Sequence, residues 1–157
     1  MRIISVNVNG IRAANRKGFF HWLRRQKADV VCLQELKELE EKFPFESLRE
    51  SGNYAAVHGQ KNYKGVAILS LSAPVDIRKS FDDGVDDPQA RFISAVIDDV
   101  RVMSVYVPNG STVGSVKWAY KVGWVTRLRP FLGRGADSSE PLTLCGGLNI
   151  APDDSDV

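Results

Sequence analysis

The chain has 157 residues, the usual length of one domain. At 43% hydrophobic and 25% charged residues, with no Gly or Pro period, it is neither a disordered, a collagen-like nor a low-complexity chain. Lys and Arg total 21 against 19 Asp and Glu, and a formal charge of +2 is too small by itself to argue for nucleic acid.

Residues 2–8 (RIISVNV) read as a strand with Ile4, Val6 and Val8 on one face, closed by the turn Asn9-Gly10. Residues 16–27 carry Phe19, Phe20, Trp22 and Leu23 among basic residues and predict a one-sided helix. The nearly all-apolar run 29–34 is the next strand, of the kind buried on both faces. Residues 38–50 predict a helix interrupted near Pro44. Short strands follow at 53–58, 65–71, 75–80, 91–97 and 101–107, an antiparallel meander. The longest helix is expected over 115–132, with Trp118, Val122, Val125, Leu128 and Leu132 as its apolar stripe. Residues 141–146 (PLTLCG) are the last strand. The order strand, helix, strand at the start argues an α/β sheet with a helix packed on it. No repeat or linker divides residues 1–157, so one folding unit is expected.

No apolar run approaches the roughly 18–20 residues needed to cross a bilayer. The start MRIISVNVNG has no signal-peptide pattern, which makes the cytoplasm the expected compartment. Cys32 and Cys145 each sit in an apolar run and read as reduced, buried thiols; with His21 and His58 they give no zinc-like spacing. Charge is unevenly spread. Gly10 to Ala28 holds Arg12, Arg16, Lys17, Arg24, Arg25 and Lys27 without an acid, and Val116 to Arg134 holds Lys117, Lys121, Arg127, Arg129 and Arg134 without one. Such asymmetry can build a positive face on a near-neutral chain.

Polar residues mark the ends of the expected strands: Asn7, Gln34-Glu35, Tyr106 before Pro108-Asn109-Gly110, and Asn149 after the last strand. Singly, each has an ordinary use in a turn or at a solvated end. Gathered at one sheet rim, their oxygens would suit a hard cation such as Mg²⁺, which polarises a phosphate and lowers the pKa of a water.

In order along the chain, the segments IISVNVNGIRAA, ADVVCLQELK, YKGVAILS, QARFISA, SVYVPNGS and LCGGLNIAPDDSDV resemble the exonuclease III family of Mg²⁺-dependent DNA-repair nucleases, within the endonuclease/exonuclease/phosphatase superfamily. The resemblance implies an α/β fold, the N-terminal half of a four-layer α/β/β/α sandwich, expected here as one mixed, mainly antiparallel sheet with helices on its outer face. It implies hydrolysis of phosphodiesters in double-stranded DNA beside abasic sites and at 3′ ends, with Mg²⁺ or Mn²⁺. It implies Glu35 as a metal ligand with Asn7 in or beside the metal shell, Tyr106 at the scissile phosphate, and Asn149 orienting the phosphate or attacking water. Arg91, Asn109, Lys117 and Lys121 would bind substrate.

Two departures from the family pattern follow. Gly147 stands where the family has a catalytic aspartate, so activity is expected to be impaired, with Asp153 and Asp154 as remote substitutes. A second half, with its Asp-His pair, is not in the sequence. A single sheet without a cover would expose on the order of 1,000 Å² of apolar surface, which predicts self-association across that face. A non-catalytic nucleic-acid binder is the alternative reading. The superfamily's lipid and inositol phosphatases are a third, although QARFISA and VPNGS look more like the DNA-repair branch.

Overall fold

The computed structural model describes residues 1–136 and 139–150. Among them eight strands form two four-stranded sheets. The first has the order β1 (Ile3–Asn7), β2 (Val30–Gln34), β4 (Val66–Ser70), β3 (Tyr54–His58). The second has the order β5 (Val75–Arg78), β6 (Phe92–Ile97), β7 (Val100–Tyr106), β8 (Leu142–Gly147). Each sheet contains one parallel pair, β1 with β2 and β7 with β8; the other neighbours are antiparallel. The expected meander therefore breaks after β4, where the chain changes sheets.

Strand periodicity sorts the side chains into layers. Val31 and Leu33 of β2, with Ala67 and Leu69 of β4, face outward and pack under Ile11 of α1 (Ile11–Arg16), Phe19, Phe20 and Leu23 of α2 (Phe19–Gln26) and Leu48 of α3 (Phe45–Glu50). Val30, Cys32, Val66 and Ile68 face the other way and meet Ile93, Ala95, Ile97 and Val102 of the second sheet. Phe92, Met103 and Val105 point out of the second sheet against Trp124, Leu128 and Phe131 of α4 (Val116–Ala136).

The α/β sandwich expectation holds, with the sheet count corrected. Two sheets are present instead of one, and each covers the inner face of the other. The bare apolar face is filled, so the argument for self-association across it falls. The reason is topological: 75–107 together with β8 supplies the second sheet, whose strands a strand-by-strand reading assigned to the first.

The helices differ from expectation in three places. The expected helix 16–27 starts only at Phe19; Gly18, at φ +92°, separates it from α1, which precedes it. In 38–50 only Phe45–Glu50 is α-helical, after a 3₁₀ turn at Glu40–Lys42, and Glu38 instead bridges to Gln60. On α4 the buried stripe is Trp124, Leu128 and Phe131, while Val122 is 46% exposed. The aromatic cluster of Phe81, Phe92, Trp124 and Phe131 sets that rotation, with ring centroids 4.8–5.7 Å apart.

Truncating the inter-sheet layer should therefore be costly. Ile68→Ala is expected to lower urea-unfolding stability by about 2–5 kcal/mol, whereas Val122→Ala should stay within about 0.5 kcal/mol. Equal effects would contradict this layering.

Candidate active site

The two parallel pairs decide where polar groups gather. In each, the chain crosses over through helices and re-enters beside its first strand, so both strands end on the same side. Asn7 lies opposite Gln34 at the end of one pair, and Tyr106 opposite Gly147 at the end of the other. The sandwich brings these ends to one rim, the position at which open α/β sheets bind ligands.

Glu35 follows Gln34 at φ +54°, in the left-handed region that a residue other than glycine occupies at some cost. Neighbouring backbone fixes that turn: Gly10 and Ile11 donate to the carbonyls of Glu35 and Leu36 at 2.8 and 2.9 Å, and Leu36 donates to Gly65 at 3.1 Å. The carboxylate is thereby aimed along the rim. Asn7 Nδ2 donates to Glu35 Oε1 at 2.7 Å, and the Asn7 side-chain oxygen accepts from the Asn9 amide at 3.0 Å. The Tyr106 hydroxyl faces the carboxylate and favours its charged form, and Lys37 Nζ lies 3.4 Å from Oε2 while binding Asn9 Oδ1. Burial pushes the Glu35 carboxyl up, but the donors of Asn7, Tyr106 and Lys37 around it outweigh burial and hold the group below the usual carboxylate range. Burial, reinforced by the Glu35 charge, raises Tyr106.

Beside Tyr106 runs a groove of about 600 Å³ lined by Tyr63, Lys64, Arg91, Asn109, Lys117 and Tyr120 among others. Arg91 spans its floor: Nε donates to Gln89 Oε1 at 2.7 Å, an Nη to the Tyr106 carbonyl at 3.1 Å, and the guanidinium lies 5.0 Å from the Tyr106 ring centre. Asn109 accepts the Ser111 amide at 2.9 Å, which shapes the loop into α4, and Ser115 caps that helix by accepting the Trp118 amide at 3.1 Å.

The structure thus brings Asn7, Glu35 and Tyr106 into contact and sets Arg91, Asn109 and Lys117 around the adjoining groove. Two expected residues turn elsewhere. Asn149 spends its amide on the Val107 carbonyl at 2.7 Å, and Lys121 Nζ donates to the Asn149 carbonyl at 2.5 Å. Lys121 and Asn149 line a second, smaller groove with Trp118 and Ile150. Asp153 and Asp154 lie outside the described residues. The sequence reading passed over Lys37, Tyr63, Lys64 and Tyr120. Of these, Tyr120 had a signal, since it falls three residues after Lys117 on the same helix.

Gly146 and Gly147 differ in what they tolerate. A Cβ at Gly146 would lie 1.9 Å from the Val105 carbonyl, and its φ of +149° disfavours a side chain. A Cβ at Gly147 would meet only the Tyr106 ring at 3.4 Å, an ordinary contact. A carboxylate is therefore sterically possible at 147, beside the Tyr106 ring. Among the described residues no three His, Cys, Asp or Glu side chains converge as a metal cluster.

Comparison with known proteins accords with this geometry. Exodeoxyribonuclease III of Haemophilus influenzae is 33% identical over 162 residues, which span all of this chain and 60% of that protein. A 3′ phosphatase from Neisseria, solved with a product DNA hairpin, superposes with a TM-score of 0.91 at 38% identity, covering 99% of this chain and 60% of its own. An AP endonuclease from Archaeoglobus fulgidus superposes at 0.88 and 34% identity, covering 98% and 59%. The chain thus spans about 60% of the length of these relatives. The family model for the Endonuclease/Exonuclease/phosphatase family matches residues 4–157, and with the strand-end site in place the chain belongs to that family.

Proposed function

We propose that this chain carries the phosphate-handling site of an exonuclease III-type phosphodiesterase acting on double-stranded DNA at abasic sites or 3′ ends. The observation that carries the reading is the set Asn7, Glu35 and Tyr106, gathered from both sheets at the head of a groove with basic walls, with Asn7 hydrogen-bonded to Glu35 at 2.7 Å.

The donor set fits a hard divalent cation. Glu35 is held ionised, and the Lys37 contact to its Oε2 is a loose 3.4 Å, longer than a tight charge-assisted bond. One carboxylate with water completing the shell is how proteins commonly hold Mg²⁺, and Mn²⁺ accepts the same oxygen donors. Glu35 would hold the ion with Asn7 beside it. Such an ion, when bound, polarises a phosphoryl oxygen and acidifies a water.

The chain's own groups do the positioning. Tyr106 keeps its proton in the neutral range, because burial and Glu35 both raise it, and so remains a hydrogen-bond donor to phosphate. Arg91, clamped against Tyr106, and Lys117 and Lys64 supply positive charge along the groove. These contacts grip a backbone without reading sequence. At Gly147 no carboxylate is available to activate a water, and general-base assistance is typically worth roughly 10²–10⁴ in rate. That gap favours a second reading, DNA held without being cut, for which the groove suffices.

Two assays separate and test these readings. Gly147→Asp, which the backbone accommodates, is expected to raise the nicking rate on an abasic-site duplex with saturating Mg²⁺ by about 10²-fold or more. An unchanged rate would contradict the role assigned to position 147 and favour the binder. In DNA binding, Lys117→Ala should weaken affinity on every sequence and reduce the salt slope by about 1. Lys121→Ala should change it less, because Lys121 is spent on the Asn149 carbonyl. The reverse order of effects would place the DNA on the second groove.

A further inference from the structure

One lysine of the groove is left over by the phosphate-handling chemistry. Of the lysines around the site, Lys37 binds Asn9 and faces Glu35, and Lys121 binds the Asn149 carbonyl. Among the described residues no carboxylate pairs with Lys64. Its mount is firm. The Lys37 amide donates to the Lys64 carbonyl at 2.8 Å, and the next residue, Gly65, donates to the Ala90 carbonyl at 3.0 Å and accepts from the Leu36 amide at 3.1 Å. The turn between β3 and β4 is thus tied both to the turn that carries Glu35 and to the segment that carries Arg91. The Lys64 side chain, partly buried, lines the same groove as Tyr106 and Arg91, whereas Lys117 on the same groove is exposed. Burial and then the Arg91 charge hold the Lys64 amine below the usual lysine value, with Asp87 opposing them in part. A lysine desolvated beside another cation keeps a larger share of neutral, nucleophilic amine.

We propose that Lys64 gives the chain a second, metal-independent activity: its amine forms a Schiff base with the ring-opened aldehyde of an abasic site, and the strand then breaks by β-elimination. The inference rests on the reading that the groove receives abasic-site DNA. An abasic sugar is the one nucleotide residue that opens to a free aldehyde, so an amine mounted beside the phosphate grip of Arg91 and Tyr106 has an electrophile to meet. Lys64 Nζ adds to C1′, and loss of one water leaves the imine. Protonation of the imine acidifies C2′. That proton leaves to solvent water, and its electron pair expels the phosphate from C3′. The bond broken is C3′–O, which leaves a 5′-phosphate on one fragment and an unsaturated sugar on the other. One water then hydrolyses the imine and returns the Lys64 amine. Water released equals water consumed, and neither an oxidant nor a reductant is required. The step differs from hydrolysis at the Glu35 site in the bond it breaks and in needing no metal.

The test incubates the native chain with a 5′-labelled duplex carrying one abasic site, in EDTA to silence metal-dependent hydrolysis and with sodium cyanoborohydride to reduce the imine. The expected result is a protein–DNA adduct that survives denaturing electrophoresis and whose tryptic peptide carries the sugar on Lys64. A duplex with a tetrahydrofuran analogue of the abasic site, which has no aldehyde, should give no adduct. Without the reductant, the abasic strand should be cut in EDTA to a labelled fragment ending in the unsaturated sugar. Lys64→Arg, compared at saturating DNA, should lose both the adduct and the cut. Because the adduct is mapped on the unaltered chain, the result stands even if the variant folds poorly. Fluorescence anisotropy on the same duplex separates this proposal from the reading beneath it. Binding without an adduct, an adduct mapped to Lys37, Lys117 or the Met1 amine, or an uncut strand in EDTA would overturn the proposal alone. No binding would overturn the functional reading and this proposal with it.

Discussion

One buried amide holds the two halves of the site in register. Gln34, 2% exposed at the end of β2, donates from Nε2 to Ser5 Oγ on β1 and to Ser104 Oγ on β7, both at 3.2 Å. Ser104 Oγ in turn donates to the Leu33 carbonyl at 3.1 Å. The bond to Ser104 crosses from one sheet to the other, in a layer made mainly of apolar side chains. Each partner left unsatisfied in such a layer costs about 1–3 kcal/mol, so sliding one sheet over the other is penalised far more sharply than hydrophobic contact alone would require. Glu35 is the next residue, and Tyr106 lies two beyond Ser104. The bridge thus fixes the distance over which a hydroxyl from the second sheet meets a carboxylate from the first.

Around that bridge the fold repeats one device twice. A strand, a helical crossover and a parallel strand beside the first deliver two chain ends to the same side, once as Asn7 and Glu35 and once as Tyr106 and Gly147. The left-handed turn at Glu35 then redirects a side chain that a continuing strand would have sent into a sheet face. Strain of this sort persists only where surrounding bonds over-determine it, and the amides of Gly10, Ile11 and Leu36 do so here.

Much of this was legible in the sequence, for identifiable reasons. β-Branched runs placed the strands, and polar residues at their ends marked Asn7, Glu35 and Tyr106, because a side chain at a strand terminus escapes the alternation of buried faces. What the sequence could not show was which strands share a sheet. Residues 75–80 follow 65–71 as a hairpin partner would, yet they start a second sheet, since strand period carries no information about the partner. The face of α4 was read only in part, for a related reason: Leu128, Val125 and Leu132 do face inward and Val122 does not. Val122 and Trp118 satisfy helical spacing as well as Trp124 and Phe131 do, and only the cluster with Phe81 and Phe92 decides between them. Lys121 and Lys117 likewise look equivalent one turn apart, until the Asn149 carbonyl claims the first.

The proposed function turns on a divalent cation at the meeting point of the two sheets, beside the ionised Glu35 carboxylate and the Asn7 amide. The most direct measurement is a substoichiometric Mn²⁺ titration followed by amide NMR on the native chain and on Glu35→Gln. Paramagnetic broadening should erase Asn7, Glu35 and Tyr106 first, and should disappear from those residues in the variant. Broadening centred on the acidic stretch around Asp83 and Asp87, or unchanged by Glu35→Gln, would contradict it.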